Sequence, residues 1–331
     1  MPDNRKVNWG VLASGGIARK FAASAKTTQN AELVAVASRT PGKAKTFALE
    51  NGVGKSYDSY EALLDDSTID AVYVANTHNF HHQTVLLALN SSKAVLCEKP
   101  LAINAKQAAE MIDAARAKGV FLMEGMWTRF LPAVAQMRRW IAGGLIGKPR
   151  QLFASFGTNV PFAPDHRMLN PKLAGGALLD LGIYPLALAS MVAGGKPPTL
   201  QHSICEIGET GVDVEDSLLL SYPCGLVAHL CCGIKSKYTN SATLCGETGS
   251  ITLPPLFIGA QSVTLQTGNE TITKEFPCEF LHGFRYEIEA ASECILKGLT
   301  ECDTIPLDET LELARTMDAF REEWGLRYDG E

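Results

Sequence analysis

Within the first 125 residues, short apolar runs alternate with segments of helical periodicity, and no other feature restricts the fold as much. The runs are Val7–Leu12, Glu32–Ser38, Ala71–Ala75, Ala94–Cys97 and Val120–Met123. The helical segments begin near Gly16, Pro41, Ser59, Asn79 and Asn104. In the last of these, Asn104 is a good N-cap, Ala108, Met111, Ile112 and Ala115 form the apolar face, and Gly119 closes the helix. Alternation of this kind predicts βαβ units and a parallel sheet covered on both faces.

Beyond about residue 150 the rhythm changes. Strand-like runs follow at hairpin distances: Gln151–Phe156, His202–Ile207, Ser217–Ser221, Leu226–Cys232, Ala242–Cys245, Ile251–Leu253, Ser262–Gln266 and Thr271–Phe276. Turn signals such as Thr248-Gly249 and Gly268-Asn269 separate them, so a largely antiparallel sheet is expected. Helices are expected at Gly176–Ala193, Leu281–Lys297 and Asp308–Trp324. The expected domains are residues 1–125 and 126–331.

A chain of 331 residues can bury a core in each. With 46% hydrophobic and 20% charged residues it has an ordinary globular composition, and a net charge of −6 argues against nucleic acid or an anionic membrane as partner. No apolar run approaches the length of a membrane span. The nine cysteines include no C-x-x-C pair and read as buried or incidental thiols. The opening MPDNRKVNWG lacks the apolar core of a signal peptide, so a cytoplasmic setting is expected.

The first strand runs into GVLASGGIA, Gly10–Ala18. Set against the dinucleotide fingerprint G-x-G-x-x-G/A, the frame is Ala13-Ser14-Gly15-Gly16-Ile17-Ala18, with alanine in place of the first glycine. Gly15 lets the backbone approach a pyrophosphate, Ala18 allows close helix packing, and the first amides of the helix face the anion. The second strand ends Ser38-Arg39-Thr40, with Lys43 a turn later. A carboxylate here would hold the ribose hydroxyl of NAD; Arg39 in its place favours the 2′-phosphate of NADP, with NAD as the other option.

Two further stretches carry chemistry. AVLCEKPLA (94–102) delivers Glu98 and Lys99 to the carboxyl edge of a parallel sheet, where open α/β folds bind ligands, and Pro100 turns the chain away. GGALLDLGIY (175–184) puts Asp180 and Tyr184 at i, i+4 on one helical face, after a Gly175-Gly176 pair that lets the backbone pass close to a ligand or another chain. His78 and His82 have metal-pair spacing, but no third ligand is evident, so no metal is expected.

With these motifs in this order, the chain resembles the glucose–fructose oxidoreductase/inositol dehydrogenase (Gfo/Idh/MocA) family. The resemblance extends to VANTHNFHH (74–82) and GETGSITLP (246–254), and EGMWTRFLP (124–132) is most similar to its dimeric dihydrodiol dehydrogenase and NADP-dependent D-xylose dehydrogenase branch. It implies an N-terminal Rossmann dinucleotide-binding domain and a C-terminal α/β domain with a large, mostly antiparallel open sheet that often forms a dimer interface. It implies Lys99 near the nicotinamide ribose and the reacting oxygen, Tyr184 as catalytic acid/base, and Asp180 orienting substrate or tyrosine. Asn76, His78 and His81 would border the cofactor. Trp127, Arg129 and Arg167 are the substrate-contact candidates, either arginine instead making a domain-interface ion pair. A cis peptide before Pro100 is also implied. The expected reaction is NADP-dependent oxidation of a secondary hydroxyl, at C1 of an aldose or on a cyclic trans-diol. The alternatives are a keto-sugar reductase and a nucleotide-sensing regulator without catalysis.

Overall fold

The computed structural model describes residues 5–277, 282–328 and 331. The chain divides into two compact units. One comprises Met1–Ala102, Lys106–Trp127 and Glu279–Thr310; the other comprises Ile103–Ala105, Thr128–Cys278 and Leu311–Glu331. Residues 282–310 therefore belong with the first unit, although they follow every described strand of the second in sequence.

The first unit holds strands β1 (Val7–Leu12), β2 (Ala31–Ala37), β3 (Lys55–Tyr57), β4 (Ala71–Val74), β5 (Ala94–Glu98) and β6 (Leu122–Gly125). All pair in parallel, in the order β3-β2-β1-β4-β5-β6. The order reverses at β1, so the carboxyl ends of β1 and β4 flank a switch point, the usual ligand crevice of such sheets. Helices α1 (Gly16–Ala25), α2 (Lys43–Asn51), α3 (Tyr60–Leu64), α4 (His81–Asn90) and α5 (Ala105–Lys118) connect the strands. Every residue of β4, β5 and β6 is buried, as apolar runs covered on both faces require. An aromatic column anchors the core: Trp9 meets Phe21 edge-on at 5.7 Å, and Phe21 stacks on Tyr73 at 4.1 Å.

Helix α6 (Pro132–Ala142) precedes the second sheet, whose strands are β7 (Pro149–Gly157), β8 (Leu200–Ile207), β9 (Asp213–Ser221), β10 (Val227–Gly233), β11 (Ala242–Gly246), β12 (Gly249–Leu253), β13 (Ser262–Thr267) and β14 (Glu270–Glu275). Their order is β14-β13-β12-β11-β7-β10-β9-β8. Among the described strands of this sheet, only β7 and β10 pair in parallel. Burial alternates along the central strands. Leu152, Leu218 and Leu230 face the core, whereas Phe153, Leu219 and Ile204 are exposed on the opposite face. Helix α7 (Ile183–Val192) covers the inner face; α8 (Arg285–Leu296) and α9 (Leu307–Trp324) complete the described helices.

Two sequence expectations change. The predicted helix from Gly176 begins as a π-helical turn, Leu178–Gly182, before α7. The stretch Pro171–Val192 also has the length and composition of a membrane span, but 83% of its apolar window is buried inside the protein, so it reads as a core helix. Of the expected helix Leu281–Lys297, Leu281 lies outside the described residues.

Candidate active site

The strand-to-helix turn of the first unit is built for an anion. Ala13 takes φ +91°, the left-handed region that explains why the fingerprint asks for glycine there. Gly15 is the N-cap of α1 and no side chain caps the helix. A Cβ placed on Gly15 or Gly16 would meet nothing within 4 Å, so the space in front of the first amides is open. Those amides have no intrahelical acceptor, and Ala18 is fully buried against the sheet. Ser14 and Ile17 are half-buried beside this opening. These residues fit a dinucleotide pyrophosphate.

At the end of β2, Ser38 is buried and its Oγ accepts the Thr40 N–H at 3.2 Å. The Arg39 guanidinium lies 4.7 Å from the centroid of the Phe80 ring and 5.4 Å from that of Tyr60. Arg39 and Lys43 are both exposed. Residues 38–43 contain no carboxylate.

After β4, Asn76 Nδ2 donates to Thr84 Oγ1 at 2.8 Å. His81, 1% exposed, lies between two carbonyls, with Nδ1 2.8 Å from Pro100 O and Nε2 3.1 Å from Asn76 O. Burial is the main reason its pKa falls to about 4, so the ring is neutral and ties the turn after β4 to the turn after β5. His78 is buried beside it, their ring centroids 6.4 Å apart. His82 instead pairs with Glu110 at 2.8 Å, and among the described residues no cluster could hold a metal.

The Lys99–Pro100 peptide is cis. Glu98 is buried, accepts the Tyr73 hydroxyl and also the Lys99 N–H. Burial raises its pKa despite those bonds and the Lys99 charge. Lys99 itself is half-buried. Glu124 on β6 accepts the Leu101 N–H at 2.9 Å and the Thr310 hydroxyl at 3.1 Å, fixing the chain as it leaves the motif. Trp127 is buried and stacks on Phe284 at 4.9 Å.

The second unit holds Asp180 and Tyr184. Asp180 is buried, and Arg167 Nη1 lies 2.8 Å from each of its carboxylate oxygens. Arg167 thus makes an ion pair within its own unit. Arg129 is 3% exposed and donates from Nη2 to Ala187 O at 2.7 Å, holding α7. The Tyr184 ring meets Phe156 edge-on at 5.4 Å. The glycine pair passes close to the protein's own chain: a Cβ on Gly175 would lie 2.6 Å from Arg167 O, and one on Gly176 would lie 2.0 Å from Asp213 Oδ1. Sequence reading missed Tyr73, Glu124, Phe156 and Asp213. Asp213 stands in the mixed run DVEDS (213–217), just before the expected strand, where no apolar pattern singles it out.

Comparison with known proteins agrees with this fold. Residues 7–126 match the oxidoreductase family with an NAD-binding Rossmann fold, and residues 134–252 match the GFO/IDH/MocA C-terminal domain. The chain is 37% identical to trans-1,2-dihydrobenzene-1,2-diol dehydrogenase of Macaca fascicularis, covering 97% of this chain and 98% of that one. Among solved structures, it is similar to a 3-ketoreductase from Actinomadura kijaniata in complex with NADP and TDP-benzene (TM-score 0.83, 28% identity, 96% and 97% coverage). It is also similar to an aldose–aldose oxidoreductase from Caulobacter crescentus complexed with glycerol (TM-score 0.87, 26% identity, 96% and 97% coverage). The chain belongs to the Gfo/Idh/MocA family and is an oxidoreductase, an NAD(P)-dependent dehydrogenase acting on CH–OH groups.

Proposed function

We propose that this protein oxidises a secondary hydroxyl of a cyclic trans-dihydrodiol or an aldose, with NADP as the preferred cofactor. The observation that carries the substrate class is the full-length relation to the dihydrodiol dehydrogenases, together with the Lys99, Asp180 and Tyr184 set. Arg39, with no carboxylate in its turn, supports NADP. Gly15, Gly16 and the first amides of α1 would hold the pyrophosphate, and Ser38, Arg39 and Lys43 the adenosine end. Asn76, His78, His81, Glu98 and Lys99 would border the nicotinamide end. Bound NADP supplies the hydride acceptor. Tyr184 takes the hydroxyl proton as the C–H bond gives up its hydride, and Asp180, held by Arg167, orients the tyrosine or the neighbouring hydroxyl. Lys99 supplies the positive charge that favours the tyrosinate. The same residues serve reduction of a keto-sugar in reverse, which the likeness to a 3-ketoreductase supports.

A panel of trans-dihydrodiols, aldoses and inositols, followed by NADPH absorbance with NAD in parallel, tests this reading. Turnover of a diol or aldose that is faster with NADP is expected. No turnover of any polyol, with NADP still bound, would favour a sensing role instead.

We also propose a homodimer through the second sheet. Its outer row joins His202, Leu219, His229 and Phe153 across four strands, with Phe153 48% exposed and stacked on His229. Light scattering should give twice the chain mass at micromolar protein; a monomer mass would remove the idea.

A further inference from the structure

Beneath the π-helical turn that carries Asp180 lies a polar row in an apolar layer. Across β8, β9, β10 and β7 the register aligns Cys205, Asp216, Cys232 and Phe156. Asp216 and Cys232 are buried, and the Cys232 thiol donates to Asp216 Oδ2 at 3.2 Å. Three residues earlier on β9, Asp213 is fully buried, and its Oδ2 accepts the Leu178 N–H at 2.6 Å. That amide is the first of the π-turn.

Both ends of the turn rest on this row. At its entry Gly176 has φ +134° and leaves room only for the Asp213 carboxylate. At its end, a Cβ on Gly182 would lie 2.7 Å from Cys232 Sγ. The row ends at Phe156, against the Tyr184 ring. Asp213 Oδ1 and Asp216 Oδ1 are both buried and receive no N–H or O–H from any other described group, while the two carboxyls lie within hydrogen-bond reach of each other. Two neighbouring buried carboxyls with no cation between them cannot both ionise.

We propose that Asp213 and Asp216 share one proton and act as a positioning pair: Asp216, as the neutral acid, donates to Asp213, whose second oxygen holds the Leu178 amide and thereby fixes the turn bearing Asp180 and Tyr184. The inference rests on the proposed role of Tyr184. Burial raises both carboxyls, Asp216 to about 9 with the Asp213 charge adding to it. The other titratable groups facing the pair are the Cys205 and Cys232 thiols, Asp180 with its Arg167 partner, and the Tyr328 phenol under Arg321. Burial drives both thiols and the phenol upward, so Asp216 gives up its proton before any of them. Ionisation of Asp216 would set two anions under the turn and loosen it.

Hydrogen exchange of the peptide covering residues 177–184, measured on the whole protein and corrected for intrinsic rate, reads the turn without depending on chemistry. In Asp213→Ala exchange should rise at least about tenfold and kcat should fall by roughly 10–100-fold, with NADP affinity unchanged. Asp213→Asn, which keeps an acceptor for Leu178 and one hydrogen bond to Asp216, should restore most of both. Wild type should exchange faster at about pH 9.5 than at about pH 7, and Asp216→Asn should abolish that difference while keeping turnover. An Asp213→Ala protein with wild-type protection of this peptide would overturn the proposal. If Asp213→Ala does not fold, Asp216→Asn decides: wild-type alkaline loosening in that variant contradicts a shared proton. Failure of the functional reading would appear instead as normal turnover in Tyr184→Phe, leaving the exchange result standing.

Discussion

Glu98 of the first unit and Asp180 of the second are both buried carboxyl groups, and their surroundings differ. In the first unit Glu98 leans on the Tyr73 hydroxyl, and Glu287 on α8 is fully buried with neither oxygen bonded. Burial, and for Glu287 the nearby Glu98 charge, pushes both toward the protonated form. In the second unit Asp180 is as buried as Glu98, yet it carries an arginine on both oxygens. An arginine bonded to both oxygens favours the ionised form, whereas burial without such a pair favours the protonated one. On the proposed reading, Asp180 keeps its charge for use beside Tyr184, whereas Glu98 and Glu287 serve the interior of the Rossmann unit.

Replacing Tyr184 should give the largest effect. Tyr184→Phe should lower turnover by about 10²–10⁴-fold, the usual worth of a positioned proton acceptor, while leaving NADP affinity unchanged in a fluorescence titration. Normal turnover with chemistry rate-limiting would move the proton transfer to another group and dissolve the distinction between the two carboxyl environments.

The next test compares the carboxyls directly. Arg167→Ala leaves Asp180 buried without its cation and should cost about 1–3 kcal/mol at neutral pH, discounted because the Arg167 side chain is 42% exposed. Glu287→Gln should behave oppositely. Its folded-state proton affinity is raised, so wild type binds a proton that the unfolded chain releases above about pH 4.3, and stability falls as pH rises from there toward the folded value. In urea titrations across that range the variant should lose this decline. An Arg167→Ala protein as stable as wild type, or a Glu287→Gln protein that keeps the slope, would break the contrast.

Arg39→Ala sharpens the comparison from the cofactor side. It should weaken NADP binding by about 1.5–3 kcal/mol, a charge-assisted contact, with NAD much less affected. Equal losses for both cofactors would leave Arg39 only its stacking on Phe80 and Tyr60.

Much of this was legible in the chain because burial on both faces leaves continuous apolar runs, as in Ala94–Cys97, and half-burial leaves alternation, as in Ser262–Gln266. The edge strand Lys55–Tyr57 was not, because a short, mostly exposed pairing needs no apolar run. Asp180 and Tyr184 could be found from their spacing. The Arg167 partner, the π-turn and the Asp213 support could not, since each depends on segments distant in sequence meeting in the fold. Gly175 and Gly176 announced a close approach, but only the structure identifies what approaches them.

On the proposed reading, hydride passes from a carbinol carbon to NADP and the proton leaves through Tyr184. The most direct measurement incubates the protein with NADP and a trans-dihydrodiol deuterated at its carbinol carbons, then examines the recovered NADPH by mass spectrometry. Deuterium on the cofactor and a primary isotope effect on the chemical step are expected. Oxidised diol accompanied by unlabelled NADPH would contradict that reading.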